Sequence, residues 1–264
     1  SGLEAVFRVG VVHGVHVLFM GAIYSSAPHL RRNGTCGKCL GGLGGHPRRS
    51  AGRSASGTPL PRAEHAVLER WQAKQRLLIV GDVHGCLSEL QQLLATVGFE
   101  RSRDVLVLVG DLVNKGPDSG GVLRLARELG AFCVRGNHDD ELLEAWYRVG
   151  RYAGGLDAYR HDALTQVTAS DIEWVREWPL SLSLPWLPLL VVHAGLVPGV
   201  PLERQNFRDL LFMRVLRTGS DGAWVAQEKD GPGWEPWAGQ WCGPPHVVFG
   251  HDSKRRLQEA PWAT

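Results

Sequence analysis

The sequence predicts an α/β fold in which two β-sheets pack face to face and are flanked by helices, in α-β-β-α layers. Three observations lead there. Five apolar runs each stop abruptly at glycine or a metal-ligand type of residue: LLIVGDVHG (residues 77–85), VLVLVGD (105–111), FCVRGNHD (132–139), LLVVHAG (189–195) and HVVFGHD (246–252). Strand-like and helix-like segments alternate through the first half, as a parallel sheet with crossover helices requires. The second half is β-rich, with prolines and little helix.

In order, residues 76–80 are too short and too apolar for anything but a buried strand. After the GDVHG turn, Leu87, Leu90, Leu94 and Val97 recur at helical spacing, giving an amphipathic helix over 86–97. Residues 105–109 form the next strand. Val122, Leu125 and Leu129 mark a second helix, with Asp118 and Ser119 as caps. Residues 132–135 are a third strand, and Asp139, Asp140 and Glu141 open a further helix, where the dipole favours acids. Segments 180–193 and 246–251 supply the second sheet. No internal repeat is evident.

The 264 residues are 44% hydrophobic and 21% charged, an ordinary globular composition. A net charge of +2 implies no field strong enough for stable DNA binding. The charge is uneven, because residues 5–63 hold no Asp or Glu, yet carry Arg8, Arg31, Arg32, Lys38, Arg48, Arg49, Arg53 and Arg62. Residues 1–63 are therefore expected to be a disordered or targeting-like basic leader, and 64–264 the catalytic domain. The apolar stretch at 9–24 falls short of the ~20 residues a membrane span needs, so no transmembrane span is expected. Five scattered cysteines argue against a disulfide framework and for a reducing compartment. A cytoplasmic location follows by default, with organelle targeting by the leader as the alternative. Cys36 and Cys39 form a lone CGKC pair, which lacks the second ligand pair a zinc site requires.

A strand that ends in a glycine turn delivers the next side chain to the carboxyl edge of its sheet. Five such edges gather Asp82, His84, Asp111, Asn137, His193 and His251 in one cleft. An Asp after a strand is ordinarily a turn or cap residue, but six donors in the same context form a ligand set. Their oxygen and nitrogen atoms suit two divalent or trivalent ions of zinc, iron or manganese rather than calcium. Asp111, ending the middle strand, is the natural bridge between them. Asp82 and His84 would complete one ion, and Asn137, His193 and His251 the other. A water held between two such ions ionises near neutral pH and attacks phosphorus. His138 is placed to protonate the leaving oxygen, while Lys115, Arg214 and Asn137 hold phosphate oxygens.

As a set, GDVHG, GDLVNKG, GNHD, HAG and the late GHD resemble the phosphoprotein phosphatase superfamily of metallophosphoesterases. GDLVNKGPDS, VRGNHDDELL, WPLSL and VVFGHD are similar to its ApaH-like phosphatase branch, relatives of bacterial diadenosine tetraphosphate hydrolases. The resemblance runs from about residue 76 to the C-terminus. It implies a central β-sandwich flanked by helices, the same six ligands, His138 beside Asn137, and Arg214 of an MR pair as the phosphate-binding arginine. Protein phosphatases have Asp-Arg where this chain has Asn114-Lys115. Lysine lacks arginine's bidentate fork, and asparagine cannot stabilise a protonated His138 as a carboxylate would. General-acid catalysis is therefore expected to be weak, favouring phosphate anhydrides over serine alkoxides as leaving groups. Family members usually continue beyond the point where this chain stops, so an edge of the second sheet is expected to be absent.

The leading function is thus hydrolysis of phosphate anhydrides, in dinucleoside polyphosphates or an RNA cap. The alternatives are a serine/threonine protein phosphatase and a truncated, inactive scaffold. The corresponding partners are a phosphorylated small molecule or nucleotide, capped RNA, or a phosphoprotein. Ten tryptophans, with Trp224, Trp234, Trp237 and Trp241 clustered after Arg214, offer base-stacking surfaces or packing residues.

Overall fold

The computed structural model describes the backbone of residues 3–12 and 15–24, then residues 53, 57–69, 76–148 and 158–264. The CGKC pair lies outside them. In chain order the elements are β1 (Leu3–Val12), β2 (Val15–Tyr24), β3 (His65–Val67), β4 (Arg76–Val80), α1 (Leu87–Thr96), β5 (Asp104–Leu108), α2 (Ser119–Glu128) and β6 (Phe132–Cys133). They continue with α3 (Asn137–Arg148), α4 (Ala158–Gln166), α5 (Ala169–Arg176), β7 (Ser181–Leu184), β8 (Leu189–Val192), α6 (Phe207–Phe212), β9 (Val215–Thr218), β10 (Trp224–Gln227), β11 (Glu235–Pro236) and β12 (His246–Val248).

Strands β4, β5 and β6 run parallel, with Arg76 opposite Asp104 and Val80 opposite Leu108. The second sheet has the order β12-β8-β7-β3. The two-residue period of a strand explains how one run serves two layers. Leu78, Val80, Leu106 and Leu108 point to the helices, where they meet Leu90, Leu93, Val122, Leu123, Leu142 and Leu143. The alternate residues Leu77, Ile79, Val105, Val107 and Val109 point inward and pack on Leu182, Leu184, Leu189, Val191 and Val248 of the second sheet. The other face of that sheet is covered by Leu210 and Leu211 of α6, Leu216 and Trp237. This fourth layer is thinner than expected: one short helix, 3-10 turns and the small sheet β10-β9-β11.

Caps follow the sequence reading in part. Asp118 accepts from the Gly121 amide at 2.6 Å at the start of α2. Helix α3 begins at Asn137, two residues before the acids expected to open it.

Parts of the expected disordered or targeting-like leader are among the described residues. Strands β1 and β2 form an antiparallel hairpin, and β2 pairs antiparallel with β4. The same apolar, charge-poor composition that is too short to span a membrane is long enough for two strands. Ahead of residue 64, Thr58 is buried, and the Pro59 carbonyl accepts from Arg135 Nη1 at 2.9 Å. Arg135, itself fully buried, thereby ties this segment to Asp140 and to the Arg176 carbonyl. Among the described residues Cys86, Cys133 and Cys242 form no disulfide. No described helix is long and apolar enough to cross a membrane.

Candidate metal centre

All six expected donors come from the turns after β4, β5, β6, β8 and β12, at one end of the paired sheets. Two groups of ligand atoms, each mutually within 4.8 Å, share the buried Asp111: one adds His84 and His138, the other His193 and His251. Asp82 borders the first group, with Oδ2 3.8 Å from His84 Nε2. Asn137 lies in the second, its Oδ1 3.0 Å from His193 Nε2 and 2.9 Å from His251 Nδ1.

The turns that present these groups are strained. His84, Asp111, Asn114, Lys115 and His251 all adopt left-handed φ between 49° and 67°, a conformation that non-glycine residues hold only under constraint. Two glycines show why the turns are so close. At Gly110 (φ 92°) a Cβ would lie 2.5 Å from the Gly136 nitrogen, and at Gly136 it would lie 2.2 Å from Asp111 Oδ1. The β5 and β6 turns therefore touch through bare backbone, and Asp111 is pinned between them. Asp139 locks the arrangement: its carboxylate accepts from the amides of Asp111 (2.7 Å), Leu112 (3.0 Å) and Gly136 (2.9 Å).

The histidines carry the strongest chemical signal. In each, one ring nitrogen is tied to a backbone carbonyl: His84 Nδ1 to Val113 at 3.1 Å, His193 Nδ1 to Val109 at 2.8 Å, and His251 Nε2 to Phe212 at 3.1 Å. A nitrogen that donates to a carbonyl leaves its neutral partner with a lone pair. Two of those lone pairs face oxygens, His193 Nε2 at 3.3 Å from Asp111 Oδ1 and His251 Nδ1 at 2.9 Å from Asn137 Oδ1, whereas His84 Nε2, 3.6 Å from Asp111 Oδ2, has the Lys115 ammonium at 2.8 Å. Acceptor facing acceptor is repulsive unless a cation stands between them. Tethering the second nitrogen to a carbonyl is also how metal-binding imidazoles are oriented. The donor set therefore fits a pair of cations.

Burial shapes the charge states. His251 is pushed down to about 2 by burial, with His193 and the Arg214 cation adding to it, and burial likewise lowers His84. Burial thus favours the neutral form of both rings, the form a ligand needs. Burial, with the nearby Asp82 and Asp139 charges, raises the Asp111 carboxyl well above the usual range. An adjacent cation reverses that cost.

The other expected residues lie around this centre, and a carboxylate that was not expected joins them. The Asn114 amide nitrogen is 3.2 Å from His138 Nδ1. Asn114 was expected to leave His138 without a carboxylate, yet Glu141 brings Oε2 within 3.4 Å of the same Nδ1. One helical turn separates 138 from 141, which is why no strand-edge motif contains the pair. Lys115 Nζ lies 2.8 Å from His84 Nε2. Arg214 sits 3.5 Å from Asp252 and 3.6 Å from Glu228. Sequence reasoning missed Glu141, Asp139, Asp252 and Glu228 as members of the site; for Asp139 and Asp252 the signal was present, since each ends a glycine-histidine or asparagine-histidine motif.

The tryptophans are mainly packing residues. Trp237 is 1% exposed and meets Phe249 edge-on at 4.7 Å, so it presents no face to a base. Trp241 donates to the Pro245 carbonyl at 3.0 Å, and Trp224 packs on the same cluster. The Trp234 ring carries the Arg217 guanidinium at 4.7 Å. A cavity of about 310 Å³ opens beside the centre, lined by Asp82, His84, Lys115, His251 and Asp252.

Paired sheets with Asp, Asn and His donors at their carboxyl edges define the metallophosphoesterase class. The chain belongs to the calcineurin-like phosphoesterase family, whose profile matches residues 75–260. It is 44% identical over 131 residues to the symmetrical bis(5'-nucleosyl)-tetraphosphatase of Shewanella baltica strain OS155, covering 47% of this chain and 46% of that protein. The same enzyme of Aromatoleum aromaticum is 45% identical over 129 residues, covering 47% and 45%. A crystal structure of a candidate diadenosine tetraphosphatase superposes with a TM-score of 0.66 at 38% identity, covering 75% of this chain and 85% of that one. The chain spans about half the length of the curated relatives it matches.

Proposed function

We propose that this protein is a metal-dependent phosphohydrolase acting on phosphate anhydrides of the dinucleoside polyphosphate type. The observation that carries this is the pair of donor groups sharing Asp111, with the lone pairs of His193 and His251 aimed at carboxylate and amide oxygens. Asp82, His84 and Asp111 would hold one ion, and Asp111, Asn137, His193 and His251 the other. Manganese, zinc and iron all suit such donors. When bound, the ions supply charge neutralisation at phosphorus and activation of water.

The remaining side chains divide the rest of the work. Lys115 and Arg214 offset the charge of the phosphoryl oxygens, and the Asn137 amide nitrogen donates to one of them. His138 protonates the leaving oxygen, with Asn114 and Glu141 fixing its ring. A lysine at 115 gives a point charge rather than a fork, which suits a flexible polyphosphate chain. The named activity of the tetraphosphatase relatives supports the same substrate class. All the side chains invoked lie within residues 64–264, which we take as the catalytic domain. Among the described residues Cys86 and Cys133 form no disulfide, which suits a reducing cytoplasm.

The test is a panel of diadenosine tetraphosphate, capped RNA and a phosphopeptide, assayed with manganese, zinc and iron. Preferred turnover of the dinucleotide is expected. Preference for the phosphopeptide would replace this reading with protein dephosphorylation, and no turnover of any substrate would leave the scaffold alternative.

A further inference from the structure

Arg214 stands between two carboxylates of opposite character. Its backbone is fixed on both sides: its amide donates to the Gln227 carbonyl at 2.9 Å, and its carbonyl accepts from the Trp237 amide at 3.2 Å. Asp252 faces Nε at 3.5 Å with a side chain only 4% exposed. That carboxylate is itself anchored, because Arg255 and Gln258 hold Oδ2 and its amide donates to the Gly250 carbonyl. Glu228 faces Nη1 at 3.6 Å but is 39% exposed. It also has a second cation within reach, Arg208 at 3.8 Å, which is largely in solvent.

We propose that Asp252 is the positioning residue for Arg214, and that Glu228 is a displaceable counter-ion which a substrate phosphate replaces on the guanidinium. This rests on the phosphohydrolase reading of the site. Arginine recognises phosphate best through two parallel N–H donors. With Nε committed to Asp252, the terminal nitrogens remain for the phosphate. Arg214 Nε and Asp252 Oδ1 are both buried and both lack a hydrogen bond. A small shift of the guanidinium toward Asp252 gives each its partner, so phosphate binding and closure of the pair reinforce one another. Glu228 then swings to Arg208. Before substrate arrives, it keeps the exposed face of Arg214 neutralised and screens out weakly bound anions.

The two carboxylates predict opposite signs, which structural damage cannot imitate. Inorganic phosphate is the probe, titrated calorimetrically into the manganese-loaded protein and measured as a competitive inhibitor of aryl phosphate turnover. Glu228→Gln removes a competitor at an exposed position and is expected to tighten phosphate about threefold. Asp252→Asn removes a charge-assisted partner and is expected to weaken phosphate about tenfold, with KM rising more than kcat falls. Asp252→Glu should recover part of that loss. Unchanged or weaker phosphate binding by Glu228→Gln overturns the proposal, as does parental affinity in Asp252→Asn. If the variants match a parent that binds and hydrolyses, only this inference fails. A parent that binds no phosphate at all removes the phosphohydrolase reading as well.

Discussion

The ion pair at the far end of the first sheet gives a stability prediction that leaves the chemistry untouched. Arg76 opens β4 and Asp104 opens β5, directly opposite in register. The Arg76 guanidinium grips both carboxylate oxygens, at 2.8 and 2.6 Å, while Arg103 and the Glu100 amide add further donors. Burial raises the Asp104 carboxyl, but the Arg76, Glu100 and Arg103 hydrogen bonds outweigh it and bring the value from 3.8 down to about 2. At ~1.4 kcal/mol per decade, that difference is worth about 2 kcal/mol of folding free energy. A depressed carboxyl stabilises the fold above its unfolded value and loses that contribution as pH falls through the folded one. The loss therefore runs from about pH 4 down to about pH 2, and about half is gone near pH 3. Asp104→Asn should cost about 2 kcal/mol at pH 7, lowering Tm by roughly 4–8 °C for a domain of this size. The gap between parent and variant should narrow as pH drops, because only the parent has the carboxylate to protonate. Urea denaturation followed by tryptophan fluorescence at pH 7, 4 and 3 measures the gap directly. A gap that stays constant across that range would refute the ion-pair account. So would a loss of activity per folded molecule, since the pair lies at the opposite end of the strands from the centre.

Asp111→Asn should reduce bound manganese below two equivalents and lower turnover by about 100-fold or more, read by metal analysis of the dialysed protein and by aryl phosphate assay. Glu141→Gln should slow alkyl phosphate hydrolysis by about 10-fold while sparing aryl phosphates, whose leaving groups need little protonation; equal losses on both would deny Glu141 a part in proton transfer. Trp237→Ala should destabilise the domain by about 3–5 kcal/mol, as truncation of a buried indole does. Any surviving folded fraction should treat dinucleotide and aryl substrates alike, and a selective loss on nucleotides would restore the base-stacking role.

The strands β4 and β5 were legible because an apolar run that halts at glycine has few other readings. The six donors were legible for the same reason, since each rides on such a stop. Long-range partnerships were not. Glu228 and Asp252 meet across Arg214 although each is separated from it in sequence, and while Asp252 ends a GHD motif, nothing local pairs either of them with Arg214. Glu141 reaches His138 along a helix face, a relation invisible until α3 is known to start at Asn137 rather than Asp139. The fourth layer escaped because β9 and β10 are short and partly exposed, with weak alternation. The hairpin of β1 and β2 was hidden by composition, which reported low charge and little else.

Five corners of the cleft, at His84, Asp111, Asn114, Lys115 and His251, carry left-handed backbone on residues that resist it, a burden of about 1–2 kcal/mol for an ordinary side chain. Anyone seeking heat resistance would find the easiest gains at those corners, by installing glycine. At four of them glycine would also delete a group we assign to metal or phosphate, and at Asn114 the amide that holds His138. Hardiness and reactivity are thus drawn from the same reserve, and laboratory selection for thermal endurance alone should drift toward a sturdier protein that has forgotten its chemistry.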